Sequence, residues 1–138
     1  MTYPKGHTRP DSPLCGKRIL IAEDDDLLAD GLARRLAGLG ASVVTATTTE
    51  DALRQAQSHA LSLSVLDLQL RGRETGLLGQ TLYERRIPFV VYTDLHHRPH
   101  NGRWAEMQFV YKPDECGEVP RTVVKLSATP PTWPCSVS

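Results

Sequence analysis

Acidic side chains follow two short apolar segments of the sequence, at the point where each segment ends. Glu23 and Asp24 come directly after Arg18–Ala22, and Asp67 comes directly after Leu63–Leu66. Clustered carboxylates resist joint ionisation unless a cation joins them, and a set of hard oxygen ligands suits Mg²⁺. Asp67 is also a candidate nucleophile, because a carboxylate can form an aspartyl phosphate as a covalent intermediate. These residue types therefore predict Mg²⁺-dependent phosphoryl chemistry.

A hydroxyl group and an ammonium group end two further apolar segments. Thr93 follows residues 89–92, and Lys112 follows residues 107–111. A lysine supplies positive charge and a threonine supplies a hydroxyl donor, and both groups can contact the oxygens of a phosphoryl group. We therefore predict that Thr93 and Lys112 lie on the far side of the same site.

The apolar segments are typical of buried strands, and a fifth segment of this kind covers residues 43–46. Helical patterns separate them, and strands that alternate with helices form a parallel sheet through right-handed crossovers. We predict a flavodoxin-like α/β fold, with a doubly wound five-stranded parallel sheet of order 2-1-3-4-5. In this order the first and third strands are neighbours at the topological switch point, so that Glu23, Asp24 and Asp67 meet at one edge of the sheet.

Apolar residues at helical spacing predict four helices between and after these strands. They are Leu28, Leu32, Leu36 and Leu39; Ala52, Leu53 and Ala56; Leu77, Leu78 and Leu82; and Val119, Val123 and Leu126. Gly40 is placed to end the first helix. Thr47 and Glu50 have the spacing of a capping box that would open the second helix.

The interval between the fourth and fifth strands, residues 94–106, has no helical periodicity and contains a proline and a glycine. We expect a loop there, or a shortened or irregular fourth helix. The interval also contains His96, His97 and His100. Because this set lacks a cysteine or a carboxylate at ligand spacing, we interpret the histidines as solvated rather than as a metal site.

The composition is that of one ordinary domain. The chain has 138 residues, and 16 Lys+Arg balance 16 Asp+Glu, so that no net charge attracts it to nucleic acid or to an anionic membrane. No apolar run reaches the length of about 20 residues that a membrane-spanning helix needs. Prolines and glycines predict a flexible leader over 1–16 and a disordered tail over 127–138, which leaves 17–126 as the folded domain. Three cysteines, an odd number that lie far apart and form no Cys-x-x-Cys pair, favour a reducing cytoplasm.

Together the strand ends resemble the receiver domain of two-component response regulators. The resemblance is carried by residues 19–25, 64–70, 92–93 and 111–113 and covers the whole of 17–126. It implies a phosphorylation-dependent signalling switch in a two-component phosphorelay, which would be a phosphoacceptor protein and not an enzyme. It also implies a cytoplasmic monomer or weak dimer with a downstream protein target and with no nucleic acid or membrane partner.

The resemblance assigns roles to the acidic residues. Asp67 would accept the phosphoryl group from a sensor histidine kinase or a histidine phosphotransfer protein. Asp24 would bind Mg²⁺ directly and Glu23 mostly through water. Asp67 and the backbone carbonyl of Gln69 would complete the protein ligands.

The resemblance also assigns roles at the last two strands. Thr93 would hydrogen-bond the phosphoryl group, and Lys112 would form an ion pair with it. The peptide bond between Lys112 and Pro113 would be cis, which bonds before proline adopt readily. Phe109 lies where the family often has an aromatic switch residue, but packing in the core is an equally good interpretation.

Residues 87–93 are similar to a narrower subgroup of stand-alone receivers, whose fourth strand reads Pro-Phe-x-Phe-Ala-Thr-Gly-Tyr. Pro88, Phe89 and Thr93 match this pattern. The residues that depart from it are Val91, Tyr92, Asp94 and Leu95.

Three alternatives to these assignments are open. Asp25 or Asp26 would serve only to cap the first helix, where an acidic group is favourable. A degenerate receiver would act as a phosphorylation-independent protein-interaction module, which Asp94 and the atypical segment 94–106 favour and the complete set of site residues disfavours. A Mg²⁺-dependent phosphohydrolase is disfavoured because residue 69 is Gln where that chemistry needs a second acid.

Overall fold

The computed structural model describes residues 10–58, 60–94 and 107–129, together with the backbone of Thr2–Tyr3. The strands are β1 (Thr2–Tyr3), β2 (Arg18–Ala22), β3 (Ser42–Ala46), β4 (Leu63–Leu66), β5 (Gln69–Leu70), β6 (Arg73–Glu74), β7 (Phe89–Thr93) and β8 (Gln108–Tyr111). The helices are α1 (Asp26–Gly38), α2 (Thr49–Ser58), α3 (Gly76–Glu84) and α4 (Glu118–Ala128). The five strands predicted from apolar segments are confirmed to within one residue at each end.

The main sheet contains six strands in the order β1-β3-β2-β4-β7-β8. Five of them are parallel, whereas β1 runs antiparallel to β3. Counted among themselves along the chain, the five parallel strands have the order 2-1-3-4-5, which confirms the predicted doubly wound sheet. The register pairs Ala22 with Leu66 and Thr93 with Tyr111. The residues at these strand ends therefore lie along one edge of the sheet.

Side chains on the two faces of the sheet form two core clusters. Successive residues of a strand point to opposite faces, so that Ile19 and Ile21 pack with α1 and α4, and Leu20 and Ala22 pack with α2 and α3. All four are at most 1% exposed. Burial on both faces explains why these segments are continuously apolar and therefore recognisable in the sequence.

The buried face of α1 differs from the predicted row of leucines. Leu32 and Leu36 are buried, whereas Leu28, which the same spacing places on their face of the helix, is 36% exposed. The reason is that the buried face is centred on small residues beside these leucines. They are Ala29, Ala33 and Ala37.

The N-terminal cap of α2 lies one residue later than predicted. The Oγ1 atom of Thr48 accepts a hydrogen bond from the N–H of Asp51 at 3.2 Å. The predicted capping box of Thr47 and Glu50 is therefore wrong. Residues 47–49 are all threonine, so that each carries a hydroxyl oxygen suitable for a cap and the residue type does not distinguish them. Glu50 instead accepts a hydrogen bond from Arg73 at 2.7 Å.

Leu14 lies in the core although it precedes the first predicted strand. Its side chain is fully buried in the cluster with α1 and α4, and its N–H donates to the carbonyl of Leu39 at 2.9 Å. Gly40 has a φ of +105°, and a Cβ there would lie 2.9 Å from Cβ of Ser12, so that the close approach of this segment requires glycine. Leu14 thus packs with the domain and not with the flexible leader predicted over 1–16.

Several predictions lie partly or wholly outside the described residues. Of the irregular interval predicted over 94–106, only Asp94 is described, so the interpretation of its three histidines stays a prediction. At the C-terminus, α4 continues to Ala128 and enters the tail predicted over 127–138, and the domain boundaries otherwise stay predictions. Among the residues that are described, no helix has the length and apolar character needed to cross a membrane.

Candidate functional site

The carboxyl ends of the parallel strands form the floor of an open cleft of about 460 Å³. The N–H of Asp67 donates to the carbonyl of Ala22 at 3.0 Å, and the N–H of Lys112 donates to the carbonyl of Thr93 at 3.0 Å, so that backbone pairing continues into the site. The predicted site residues that line the cleft are Glu23, Asp24, Asp67, Gln69 and Lys112. Thr93 is fully buried and contacts the site through its hydrogen bond to Asp67.

Three donors hold the carboxylate of Asp67, which is 6% exposed. Thr93 Oγ1 donates to Oδ1 at 3.1 Å, and Lys112 Nζ donates to Oδ2 at 2.7 Å. The N–H of Gln69 donates to Oδ1 at 3.3 Å. Thr75, which the sequence analysis did not identify, donates its hydroxyl to the carbonyl of Asp67 at 2.7 Å. Side chain and backbone of Asp67 are therefore both fixed in position.

The ammonium group of Lys112 bridges two carboxylates. Its Nζ lies 2.7 Å from Glu23 Oε2 and 2.7 Å from Asp67 Oδ2. Burial by itself lowers the pKa of Lys112, but the hydrogen bonds to Asp67 and Glu23 outweigh it and raise the pKa above its usual value. Lys112 is therefore a permanent positive charge between the two acids. The peptide bond from Lys112 to Pro113 is cis, as the resemblance implied.

The carboxyl group of Glu23 is only 3% exposed. Burial raises its pKa to about 7, and the hydrogen bond from Lys112 offsets only part of this effect. The N–H of Asp25 donates to Oε1 at 3.1 Å and also favours the charged form. In the absence of a metal ion, Glu23 is thus divided between its protonated and ionised forms near neutral pH.

Three carboxylates converge in a geometry that fits a hard cation. One oxygen from each of Glu23, Asp24 and Asp67 lies within 4.8 Å of the other two. Opposite ligands of an octahedral Mg²⁺ lie about 4.2 Å apart, so these oxygens need only small movements to share one ion. The cluster could therefore bind Mg²⁺. Gln69 lines the same cleft, and the role of its carbonyl as a ligand stays a prediction.

A hairpin that the sequence analysis did not predict sets the position of Asp24. Strands β5 and β6 form a separate antiparallel pair just after Asp67, and the turn residues Arg71 and Gly72 have φ values of +52° and +77°. The N–H of Arg71 donates to Asp24 Oδ2 at 2.7 Å. The glycine is a recognisable turn signal, but strands of two residues are too short to give a periodic pattern.

Of the acids that follow β2, Asp25 is the N-terminal cap of α1. Its Oδ1 accepts hydrogen bonds from the N–H groups of Leu27 at 3.0 Å and Leu28 at 3.2 Å. The capping alternative is therefore confirmed for Asp25, while Asp26 lies in the first turn of the helix.

Two aromatic residues lie near the site. Phe109 is partly buried and packs against the core cluster of α2 and α3, which supports the core-packing interpretation. Tyr92 is 6% exposed, and its ring centroid lies 5.4 Å from Lys112 Nζ. From the sequence, Tyr92 is recognisable only as a departure from the subgroup pattern, because no spacing pattern connects it with Lys112.

Solved structures of response regulators are similar to this chain. TrrA from Thermotoga maritima, crystallised with Mg²⁺ and BeF, is 26% identical, with 80% of this chain and 98% of that chain covered and a TM-score of 0.71. SdrG from Sphingomonas melonis is 28% identical, with 80% and 95% covered and a TM-score of 0.69. TrrA in complex with the histidine kinase ThkA is 26% identical, with 80% and 97% covered and a TM-score of 0.69. The chain has the fold of a response regulator receiver domain.

No protein-family model matches the sequence, and no curated protein matches it either. The receiver-domain fold nevertheless confirms the family resemblance drawn from the strand ends. This receiver domain also has the acidic cluster that could bind Mg²⁺, the ion present in the TrrA structure. The similarity to the stand-alone subgroup stays a prediction.

Proposed function

We propose that this receiver domain is a phosphorylation-dependent switch of a two-component phosphorelay, with Asp67 as its phosphoacceptor. One observation carries the proposal. The Asp67 carboxylate is held between Thr93 Oγ1 and Lys112 Nζ on the floor of an open cleft, beside an oxygen cluster that suits Mg²⁺. Nucleophile, charge-neutralising groups and access for a donor thus occur together.

The proposed reaction transfers a phosphoryl group from a phosphohistidine of a sensor histidine kinase or a histidine phosphotransfer protein. An oxygen of Asp67 attacks phosphorus, the O–P bond forms as the N–P bond breaks, and the bonding electron pair returns to the imidazole. The product is an acyl phosphate on Asp67. Asp67 is itself modified in the reaction and must lose the phosphoryl group before it can accept another. We therefore class the chain as a phosphoacceptor protein and not as an enzyme.

The surrounding residues would stabilise the phosphoryl group. Mg²⁺, held by Glu23, Asp24, Asp67 and the carbonyl of Gln69, would neutralise negative charge on the phosphoryl oxygens. The Asp67 carboxylate loses its negative charge when it becomes an acyl phosphate, and the phosphoryl oxygens then offer new acceptors to Lys112 and Thr93. Because both donors already contact Asp67, only small movements are needed.

The output of the switch would be binding to a downstream protein target. The TrrA–ThkA complex is a precedent for contact between a response regulator and a histidine kinase, and we propose a partner of that class for this chain. The net charge of zero gives no attraction to nucleic acid or to a membrane. We further propose a cytoplasmic monomer or weak dimer.

A degenerate receiver is the second candidate function, and Asp94 is the observation that favours it. Asp94 lines the cleft that contains Asp67, where it adds negative charge on the path of an incoming phosphoryl group. In that case the domain would bind its partner without ever being phosphorylated.

Phosphotransfer distinguishes the two candidates. The purified protein is incubated with Mg²⁺ and acetyl phosphate, and separately with a phosphorylated histidine kinase, and its intact mass is measured. We expect the mass of one added phosphoryl group, which maps to Asp67, is absent from Asp67→Asn and is kept by Asp26→Asn, an exposed matched control. No added mass with either donor would favour the degenerate receiver.

A further inference from the structure

We propose that Tyr92 is a positioning residue that couples Lys112 in the site to the first turn of α4. The coupling rests on the proposed function in one respect: the natural event that would move Lys112 is phosphorylation of Asp67. The contacts that carry it form a chain of three links: ammonium to ring, hydroxyl to backbone, and carboxylate to helix terminus.

The first link is the contact between Lys112 and the Tyr92 ring. The Nζ atom lies 5.4 Å from the ring centroid, within the range of a cation–π interaction. The same Nζ bridges Glu23 and Asp67. Any change in the charge of Asp67 therefore moves an ammonium group that is in contact with the face of the ring.

The second link is a hydrogen bond at the other end of the ring. The Tyr92 hydroxyl accepts the N–H of Asp114 at 3.2 Å. Tyr92 packs in the core cluster that α1 and α4 share. Because the ring is buried and its hydroxyl is hydrogen-bonded to Asp114, a displacement of the ring also displaces the backbone of Asp114.

The third link is the cap of α4. Asp114 Oδ1 accepts the N–H of Glu118 at 2.7 Å, and Oδ2 accepts the N–H of Val119 at 2.9 Å. Gly117, at the N-cap position, has no side chain to accept these bonds. Asp114 therefore holds the first turn of α4, and a movement of Asp114 changes the environment of both amides.

This chain of contacts leads from the site to a second surface. A groove of about 140 Å³ between α1 and α4 is lined by Leu28, Tyr92, Asp114 and Val119, among others. Leu28 lines both this groove and the cleft that contains Asp67. The state of Asp67 is thereby reported outside the cleft, at the junction of α1 and α4.

The test is a double-mutant cycle read by backbone amide NMR. Asp67→Asn removes one carboxylate partner of Lys112 without any phosphorylation, and Tyr92→Phe removes the hydroxyl while keeping the ring. We expect Asp67→Asn to shift the amide signals of Glu118 and Val119 when Tyr92 is present, and to lose most of that shift in the Tyr92→Phe background. Tyr83→Phe, which alters a buried tyrosine of α3, is the matched control and should leave the shift intact.

Two results would overturn the coupling. One is an equal shift of the Glu118 and Val119 amides with and without the Tyr92 hydroxyl, and the other is no shift in either background. Lys112→Met removes the ammonium group at the first link, and its effect on the two amide signals should show the same dependence on the Tyr92 hydroxyl.

Failure of the proposed function gives a different result. Wild-type protein is titrated with Mg²⁺ and beryllofluoride, which imitates a phosphoryl group. An absence of signal changes around Asp67 would overturn the phosphorylation switch, whereas the Asp67→Asn cycle would still decide the coupling by itself.

Discussion

Glu23→Gln should stabilise the folded protein above neutral pH, although removal of one partner from a buried ion pair is usually destabilising. Glu23 is 3% exposed, and burial raises its pKa from 4.5 to about 7. Since each pKa unit corresponds to about 1.4 kcal/mol, ionisation of Glu23 costs about 3 kcal/mol more in the folded chain than in the unfolded chain. Lys112 keeps Asp67 as a partner at 2.7 Å, so no unpaired ammonium group is left behind.

The sign follows from proton binding. Between pH 4.5 and about 7 the folded state retains a proton on Glu23 that the unfolded state has lost. The contribution of Glu23 to stability therefore falls as the pH rises through this window and is level above it. Glutamine cannot ionise, so the advantage of the variant should grow from near zero below pH 4 to about 3 kcal/mol at pH 8.

Urea unfolding followed by circular dichroism at a series of pH values, with a chelator present, measures this difference. Glu115→Gln, a change at an exposed glutamate, is the matched control and should show no such pH dependence. Equal stability of wild type and Glu23→Gln at pH 8 would refute the reasoning, and so would a less stable variant. Added Mg²⁺ should stabilise wild type more than the variant, because a ligand stabilises the form that binds it.

Three further predictions concern the cleft. Phosphorylation should stop in excess chelator and resume when Mg²⁺ is restored; undiminished transfer without the metal would contradict the proposed site. Arg71→Pro removes the N–H bonded to Asp24 and cannot adopt the observed φ of +52°, so it should weaken Mg²⁺ binding about tenfold. Arg71→Gly keeps the N–H and should leave Mg²⁺ binding unchanged, and a calorimetric titration compares the two variants. Asp94→Gly should raise the phosphorylated fraction at fixed donor concentration, and the gain should shrink in high salt; equal fractions at low salt would remove Asp94 from the mechanism.

The strands and the members of the site were predictable because one physical rule determines both. A strand buried on both faces is predominantly apolar, so its end is visible where polar residues take over. Parallel strands end at one edge of the sheet, so those polar residues, such as Asp67 and Lys112, converge. The prediction of convergence needed no knowledge of side-chain geometry.

Other features depend on contacts that leave no periodic pattern. Leu14 is an isolated leucine in a segment rich in proline and glycine, and the close approach of this segment to Gly40 exists only in the folded chain. The cap at Thr48 could not be told from Thr47 by residue type. Arg71 acts through its backbone N–H, so its side-chain chemistry gave no indication of its contact with Asp24.

Burial, rather than the number of acids, determines the charge of the cleft floor. With every group ionised, the acids Glu23, Asp24 and Asp67 would outweigh the cation Lys112 and leave a negative excess. Because the pKa of Glu23 is about 7, a proton on Glu23 removes part of this excess in the metal-free protein. Mg²⁺ binding would displace that proton, since a nearby cation favours the ionised carboxylate. Since protons and Mg²⁺ compete for Glu23, the affinity for Mg²⁺ should weaken as the pH falls.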